Sequence, residues 1–210
     1  MRDSTILENF RRYRDDPWEF ASDCVFTLDQ KDRENPIKAF PKDLEYLKIF
    51  TRLWQKERLL AVPKSRRMFM SWMCVTLYTW DTLFYAGRFN AFVSKKESDA
   101  DNLIDRSIFI LENIPKDKLP REILPKWKRT YTILDFPETH SMIRAFPSGA
   151  DQLRMHGFSG VLNDEMAFQS DAAEMYSSTF PTIENGGRFT AISSPAKGFF
   201  HDLVFDELNL

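Results

Sequence analysis

Residues 160–165 read Gly160-Val161-Leu162-Asn163-Asp164-Glu165, an apolar run closed by two adjacent carboxylates. A buried strand ending this way at its carboxyl edge can hand the first carboxylate to a magnesium shell and aim the second at a water. Strands often end in acidic residues for purely structural reasons, and Asn163 interrupts the apolar run. The doublet is more specific than a single acid, because metal and nucleophile each require a group of their own.

Far upstream, residues 64–71 read KSRRMFMS. The standard phosphate loop is G-x-x-x-x-G-K-[ST], with glycines that let backbone N–H groups close on the phosphates, a lysine for the terminal phosphates and a hydroxyl for magnesium. Aligning Ser71 with that hydroxyl puts Lys64 at the first glycine, Phe69 at the second and Met70 where the lysine belongs; Ser65, Arg66, Arg67 and Met68 fill the span between. From the start of such a loop, the long side chain of Lys64 can reach back across the phosphates. Phe69 is the difficulty: a residue with a Cβ is penalised at positive φ, and a ring cannot share space with a phosphate. Either the loop has another shape or nucleotide binding is weak. The segment also reads as a basic turn before an amphipathic core helix. Paired with residues 160–165, however, it places charge at both ends of one phosphate chain with a metal between, as nucleotide hydrolysis requires.

Around these two segments the chain has the order expected of an α/β domain. With 210 residues it is long enough for one sizeable core. Residues 1–41 mix charged and aromatic side chains around Pro17, Pro36 and Pro41 and read as a lead-in arm, with a short helix and an extended piece at 18–30; residues 42–210 read as the domain proper. Leu44, Leu47, Phe50, Leu53 and Trp54 recur at helical spacing, and RLLAVP at 58–63 follows as a short buried strand. Residues 69–85 form an apolar helix, 88–94 a strand and 98–113 a second helix with Leu103, Ile104, Ile108 and Leu111 on one face. Residues 114–128 form a proline-bearing connector. Residues 131–136 and 141–146 are two strands flanking a turn at 137–140, a hairpin in an otherwise parallel sheet. Residues 147–160 form a loop or short helix, 166–180 a loop and helix, 188–193 a strand, and the chain from Pro195 a helix to its end.

The formal net charge of −2 supplies no global attraction to nucleic acid, so any such contact requires a local basic patch. Cys24 and Cys74 lack metal-ligand spacing, and Cys74 falls in an apolar helical stretch where a buried free thiol is expected, fitting a reducing compartment. His140, His156 and His201 are scattered, so no structural zinc site is expected. No stretch approaches a membrane span, and the amino terminus is unlike a signal peptide.

After the acidic pair, Ala191-Ile-Ser-Ser-Pro-Ala196 is a strand ending in the hydroxyls of Ser193 and Ser194 and a proline. Such hydroxyls can sense a terminal phosphate and pass its loss to neighbouring elements, although a Ser-Pro turn is also a common strand terminator. Arg154 lies in the polar segment before the acidic strand, either as a solvated surface group or as an arginine able to reach a neighbouring subunit's nucleotide; Arg66 and Arg67 are rivals for that role.

The displaced Lys64, the Asp164-Glu165 pair, the Ser-Ser-Pro strand and their order along the chain resemble large terminase subunits, the ATPases that pump DNA into tailed-phage capsids. Some of these carry lysine at the first position of a deviant phosphate loop. The resemblance covers residues 42–210. It implies an α/β P-loop NTPase of the ASCE type, with a central, mostly parallel β-sheet flanked by helices. ATP and Mg2+ are the implied cofactors: Lys64 with residues 65–71 binds ATP, Ser71 and Asp164 serve the metal, Glu165 orients water, Ser193 and Ser194 couple hydrolysis to movement, and Arg154 completes a neighbour's site as a trans finger. The adenine-reading glutamine expected upstream is missing from residues 40–44, leaving the base contact unassigned. The implied partners are double-stranded DNA, the portal protein, the small terminase subunit and further copies in a ring on the prohead, in host cytoplasm, with isolated chains monomeric and poorly active. A nuclease domain follows the ATPase in full-length members, and no DNA cleavage is expected of this chain. Two other readings are a helicase-like translocase, which needs a second motor-like domain, and a degenerate, non-hydrolysing scaffold that binds portal or DNA.

Overall fold

The computed structural model describes residues 2–149, 153–154 and 156–205. Its centre is a seven-stranded sheet in the order β3 (Leu59–Pro63), β9 (Arg188–Ser193), β8 (Gly160–Asp164), β4 (Phe89–Ser94), β7 (Ser141–Pro147), β6 (Ile133–Phe136) and β5 (Lys128–Thr130). The first five strands run parallel, and β6 and β5 are added antiparallel. The mostly parallel sheet and the β6–β7 hairpin match the sequence reading. A parallel sheet must be covered on both faces, and the alternation of side chains along each strand divides the core accordingly.

Phe92, Ile143, Ala145, Leu162 and Ile192 join one apolar cluster with α4 (Met70–Phe84) and α5 (Glu97–Glu112). Ala91, Val93, Phe146, Val161, Phe189 and Ala191 join the other, beneath α6 (Ala172–Glu184) and α7 (Phe199–Val204). Neighbours in sequence thus serve opposite layers, as a period of two requires.

α4 is buried from Met73 to Phe84 with no solvent face, because a further layer covers it. That layer is α1 (Arg2–Asp15), α2 (Pro17–Cys24) and α3 (Glu45–Lys56), with a hairpin of β1 (Phe26–Leu28) and β2 (Ile37–Ala39) beside them. The lead-in segment therefore contributes to the same core: Tyr13, Phe20 and Cys24 are inaccessible to solvent, and the Trp80 indole N–H donates to the Tyr13 carbonyl at 2.7 Å. Asp16 caps α2, accepting from the N–H groups of Trp18 and Glu19, with Pro17 at the first helical position.

Three expectations change. Residues 59–63 are half-buried rather than buried, with Leu59 38% exposed, because β3 is an edge strand with a neighbour on one side only. Leu53 is 44% exposed, and the inward stripe of α3 runs through Leu47, Phe50, Thr51 and Trp54. The carboxyl-terminal helix covers Phe199–Val204, with Pro195 to Gly198 as a non-helical lead; residues 206–210, like 150–152 and 155, lie outside the described residues. Cys24 and Cys74 are free and buried, and burial pushes the Cys24 thiol up to about 12.

Candidate nucleotide site

Parallel α/β sheets bind ligands beyond the carboxyl ends of their strands, where the strand order reverses direction. Here the chain leaves β3, passes over two positions to build β4, and returns later to fill the gap with β8 and β9. Register aligns the ends: Pro63 lies opposite Ser193, and Asp164 opposite Ile192. Residues just past these ends, distant in sequence, therefore meet.

They meet as a charge cluster. The Lys64 ammonium lies 2.5 Å from Glu165 Oε1 and 4.0 Å from Asp164 Oδ1, with its side chain 8% exposed. Ser71, in the first turn of α4, places its hydroxyl 3.3 Å from Asp164 Oδ1. The other oxygen of Glu165 accepts from the Ser193 hydroxyl and the Ser194 N–H, each at 3.3 Å. Ser193 Oγ in turn accepts from the Ala167 N–H at 3.1 Å, and the Ser193 carbonyl accepts from the Lys64 N–H at 2.8 Å. Strand ends and loop are tied through Glu165.

Burial pushes the Asp164 carboxyl up from its ordinary range, and the nearby Glu165 charge adds to the rise, while Lys64, Arg106 and the Ser71 hydrogen bond oppose it. A carboxylate held against its preference in this way gains from a cation beside it. One carboxylate and one hydroxyl in contact also suit magnesium, which takes few protein ligands and completes its octahedron with water and phosphate oxygens. No three His, Cys, Asp or Glu side chains converge as a metal cage among the described residues.

The loop solves the Phe69 problem through its backbone. Phe69 adopts the left-handed conformation at φ 53°, at the very position aligned with the second glycine, and Arg67 does so at φ 64°. Its ring turns outward, 37% exposed, so it does not fill the cleft above the acids. Tyr46 braces this bend, its hydroxyl donating to the Met68 carbonyl at 3.0 Å, and the Ser65 N–H faces the Met68 sulfur at 3.3 Å. Glu165 is also left-handed, at φ 56°. Three of the four described non-glycine residues at positive φ thus border this site, the fourth being His140 in the hairpin turn, and such backbone clusters where function constrains it.

A cleft of about 480 Å³ opens over the pair, lined by Arg66, Ser94, Asp99, Arg106, Asp164 and Glu165 among others. A second, larger groove of about 1220 Å³ lies toward the β1–β2 hairpin, with Arg67, Phe69, Trp72 and Phe109 in its wall; Asn102 and Arg106 belong to both. Arg154 is helical and exposed, and it is not among the residues lining the cleft.

Two residues escaped the sequence reading. Gln169 donates to Asn163 Oδ1 at 2.7 Å and to the Asp164 carbonyl at 3.0 Å, which explains the polar interruption of the β8 run: Asn163, fully buried, anchors the turn that follows the acids. Arg106 lies in the apolar stripe of α5 between Leu103 and Ile110, a charged residue in a buried pattern that could have drawn notice.

No protein-family model matches the chain, and no curated protein does. Solved structures do. The ATPase domain of the Thermus phage P74-26 large terminase matches in two structures: a point variant at TM-score 0.58 and 12% identity over 74% of this chain and 67% of that one, and the domain without that substitution at 0.54 and 14% over 69% and 63%. The large terminase of bacteriophage HK97 matches at 0.60 and 12% over 86% of this chain and 37% of its own length. The fold is that of the phage large terminase ATPase domains.

Proposed function

We propose that this chain is a terminase-like ATPase whose turnover drives double-stranded DNA into a prohead. What supports the reading is one observation above all: the Lys64 ammonium stands against Glu165 and Asp164, with the Ser71 hydroxyl on the latter, at the carboxyl ends of parallel strands. In this reading Lys64 leaves Glu165 to neutralise the β- and γ-phosphates, helped by the N–H groups opening α4. Ser71 and Asp164 would hold Mg2+, which when bound would supply positive charge to the phosphates.

Glu165, freed of its lysine, accepts the proton of a water whose oxygen attacks the γ-phosphorus. The bond from that phosphorus to the bridging oxygen breaks, the electron pair leaves with ADP, and inorganic phosphate is the second product. Ser193 and Ser194, already on Glu165, report the change to β9 and α7. Arg154, or its rivals Arg66 and Arg67, from a neighbouring ring subunit completes the charge. Portal protein, small terminase subunit and DNA are the partners of this account, in host cytoplasm; among the described residues no helix is long and apolar enough to cross a membrane.

Glu165→Ala tests the reading. With fold retained by circular dichroism, it should abolish Mg2+-dependent ATP turnover measured with DNA and prohead present. Absence of any turnover in the parent would favour a non-hydrolysing scaffold instead, for which the closed Lys64–Glu165 pair is the natural resting state.

A further inference from the structure

Within one subunit, the motor reading assigns a side-chain cation to one side of the acidic pair only. Lys64 follows β3, whereas the cleft extends to the other side of β8, over β4 and α5. Its deepest cation there is Arg106. The guanidinium is partly withdrawn from solvent, and burial lowers its pKa from the ordinary value while the Asp164 charge opposes that fall. It lies over the Trp72 ring at 5.5 Å from the centroid, a shelf from the first turn of α4. Its Nη1 is buried with no hydrogen-bond partner among the described residues.

A buried, unsatisfied guanidinium nitrogen is costly and needs an explanation. Salt bridging within the helix does not supply one: Asp101 and Asp105, its neighbours on α5, pair with Arg129 from β5 through Asp101 Oδ2 and Asp105 Oδ1, and neither forms an ion pair with Arg106. Arginine is suited to planar, paired recognition of anionic oxygens, and the open space beside this one is the cleft over Asp164 and Glu165.

We propose that Arg106 is a cis-acting contact for the terminal phosphate of the bound nucleoside triphosphate, facing Lys64 across the acidic strand. This rests on the ATPase reading. The position beyond β8, next to the residue that would orient water, is where the γ-phosphate rather than the α- or β-phosphate would lie. Arg106 therefore discriminates triphosphate from diphosphate and adds charge on the transferring group from within the same subunit.

The test is equilibrium binding of ATP and ADP, each with Mg2+, to the intact chain and to Arg106→Ala, Arg106→Gln and Arg106→Lys. Truncation to Ala or Gln should weaken ATP by about tenfold or more while ADP stays within about twofold, with Lys intermediate because it keeps charge and loses the fork. Equal loss of both nucleotides, or of neither, in variants that remain folded overturns the assignment while leaving the ATPase reading standing. Binding of neither nucleotide by the parent chain overturns both. Should Ala fail to fold, Arg106→Lys still decides, since a purely structural cation over Trp72 would leave the ATP to ADP ratio unchanged.

Discussion

At the residue scale the site is a set of groups held against their preferences. Asp164 is the clearest. Its folded pKa is raised by burial, so between the unfolded and folded values the native state binds more protons, and stability falls as pH rises through that window and stays reduced above it. Asp164→Asn carries no such charge. Its stability relative to the parent should rise with pH across the carboxylate range and then level off, as read by urea unfolding at a series of pH values; a difference independent of pH would contradict the account. Phe69 is held by backbone strain. Phe69→Ile, a β-branched residue at φ 53°, should destabilise the chain by about 1–3 kcal/mol, whereas Phe69→Gly should come within about 1 kcal/mol of the parent. Equal losses in denaturant midpoints would show that the left-handed bend is not what Phe69 supplies.

At the element scale α4 is the axle of the domain, and Tyr78 fixes it to the acidic strand. Its hydroxyl donates to the Val161 carbonyl at 2.8 Å and lies 3.0 Å from Thr190 Oγ1, joining α4 to β8 and β9. Gly160 makes room for the ring: a Cβ there would fall 2.6 Å from Tyr78 and 2.8 Å from Asn90. Gly160→Ala should therefore cost about 1–3 kcal/mol in chemical denaturation, and a neutral effect would mean that β8 can shift freely against the helix. Elements with a strong apolar period were legible in the sequence: α3, α4, α5, the β6–β7 hairpin and the strands ending at the site. α1 and β5 were not, for physical reasons. Among the described side chains of α1 only Tyr13 is fully committed to the core, with Phe10 packed partly against it, and β5 is the three residues Lys128–Thr130 on an edge, where backbone pairing alone makes the strand.

At the scale of the whole molecule the candidate site was legible as residue types in order, because acids, lysine and hydroxyls carry their chemistry in their names. The brace of Gln169 on Asn163 and the position of Arg106 depend on which strands become neighbours, and no local pattern contains the order β3-β9-β8-β4. The lead-in segment shows the same limit. Read along the chain it is charged and punctuated by proline, yet Tyr13, Trp18, Phe20 and Phe40 join the core around Trp54 and Trp80. Removing residues 1–24 should strip one wall from α4 and abolish cooperative thermal unfolding; a truncated chain with a sharp transition near the parent's would show that the wall is dispensable.

The central claim is that a lysine at the start of a glycine-free loop serves the phosphates opposite two acids. Its most direct measurement is Mg2+-dependent ATP turnover by the chain with DNA and prohead present, comparing the parent with Lys64→Ala after both are shown to be folded. The account predicts a loss of about a hundredfold or more in the variant, the scale of removing a charge aimed at a transferring phosphoryl group. Turnover in Lys64→Ala equal to that of the parent would contradict it.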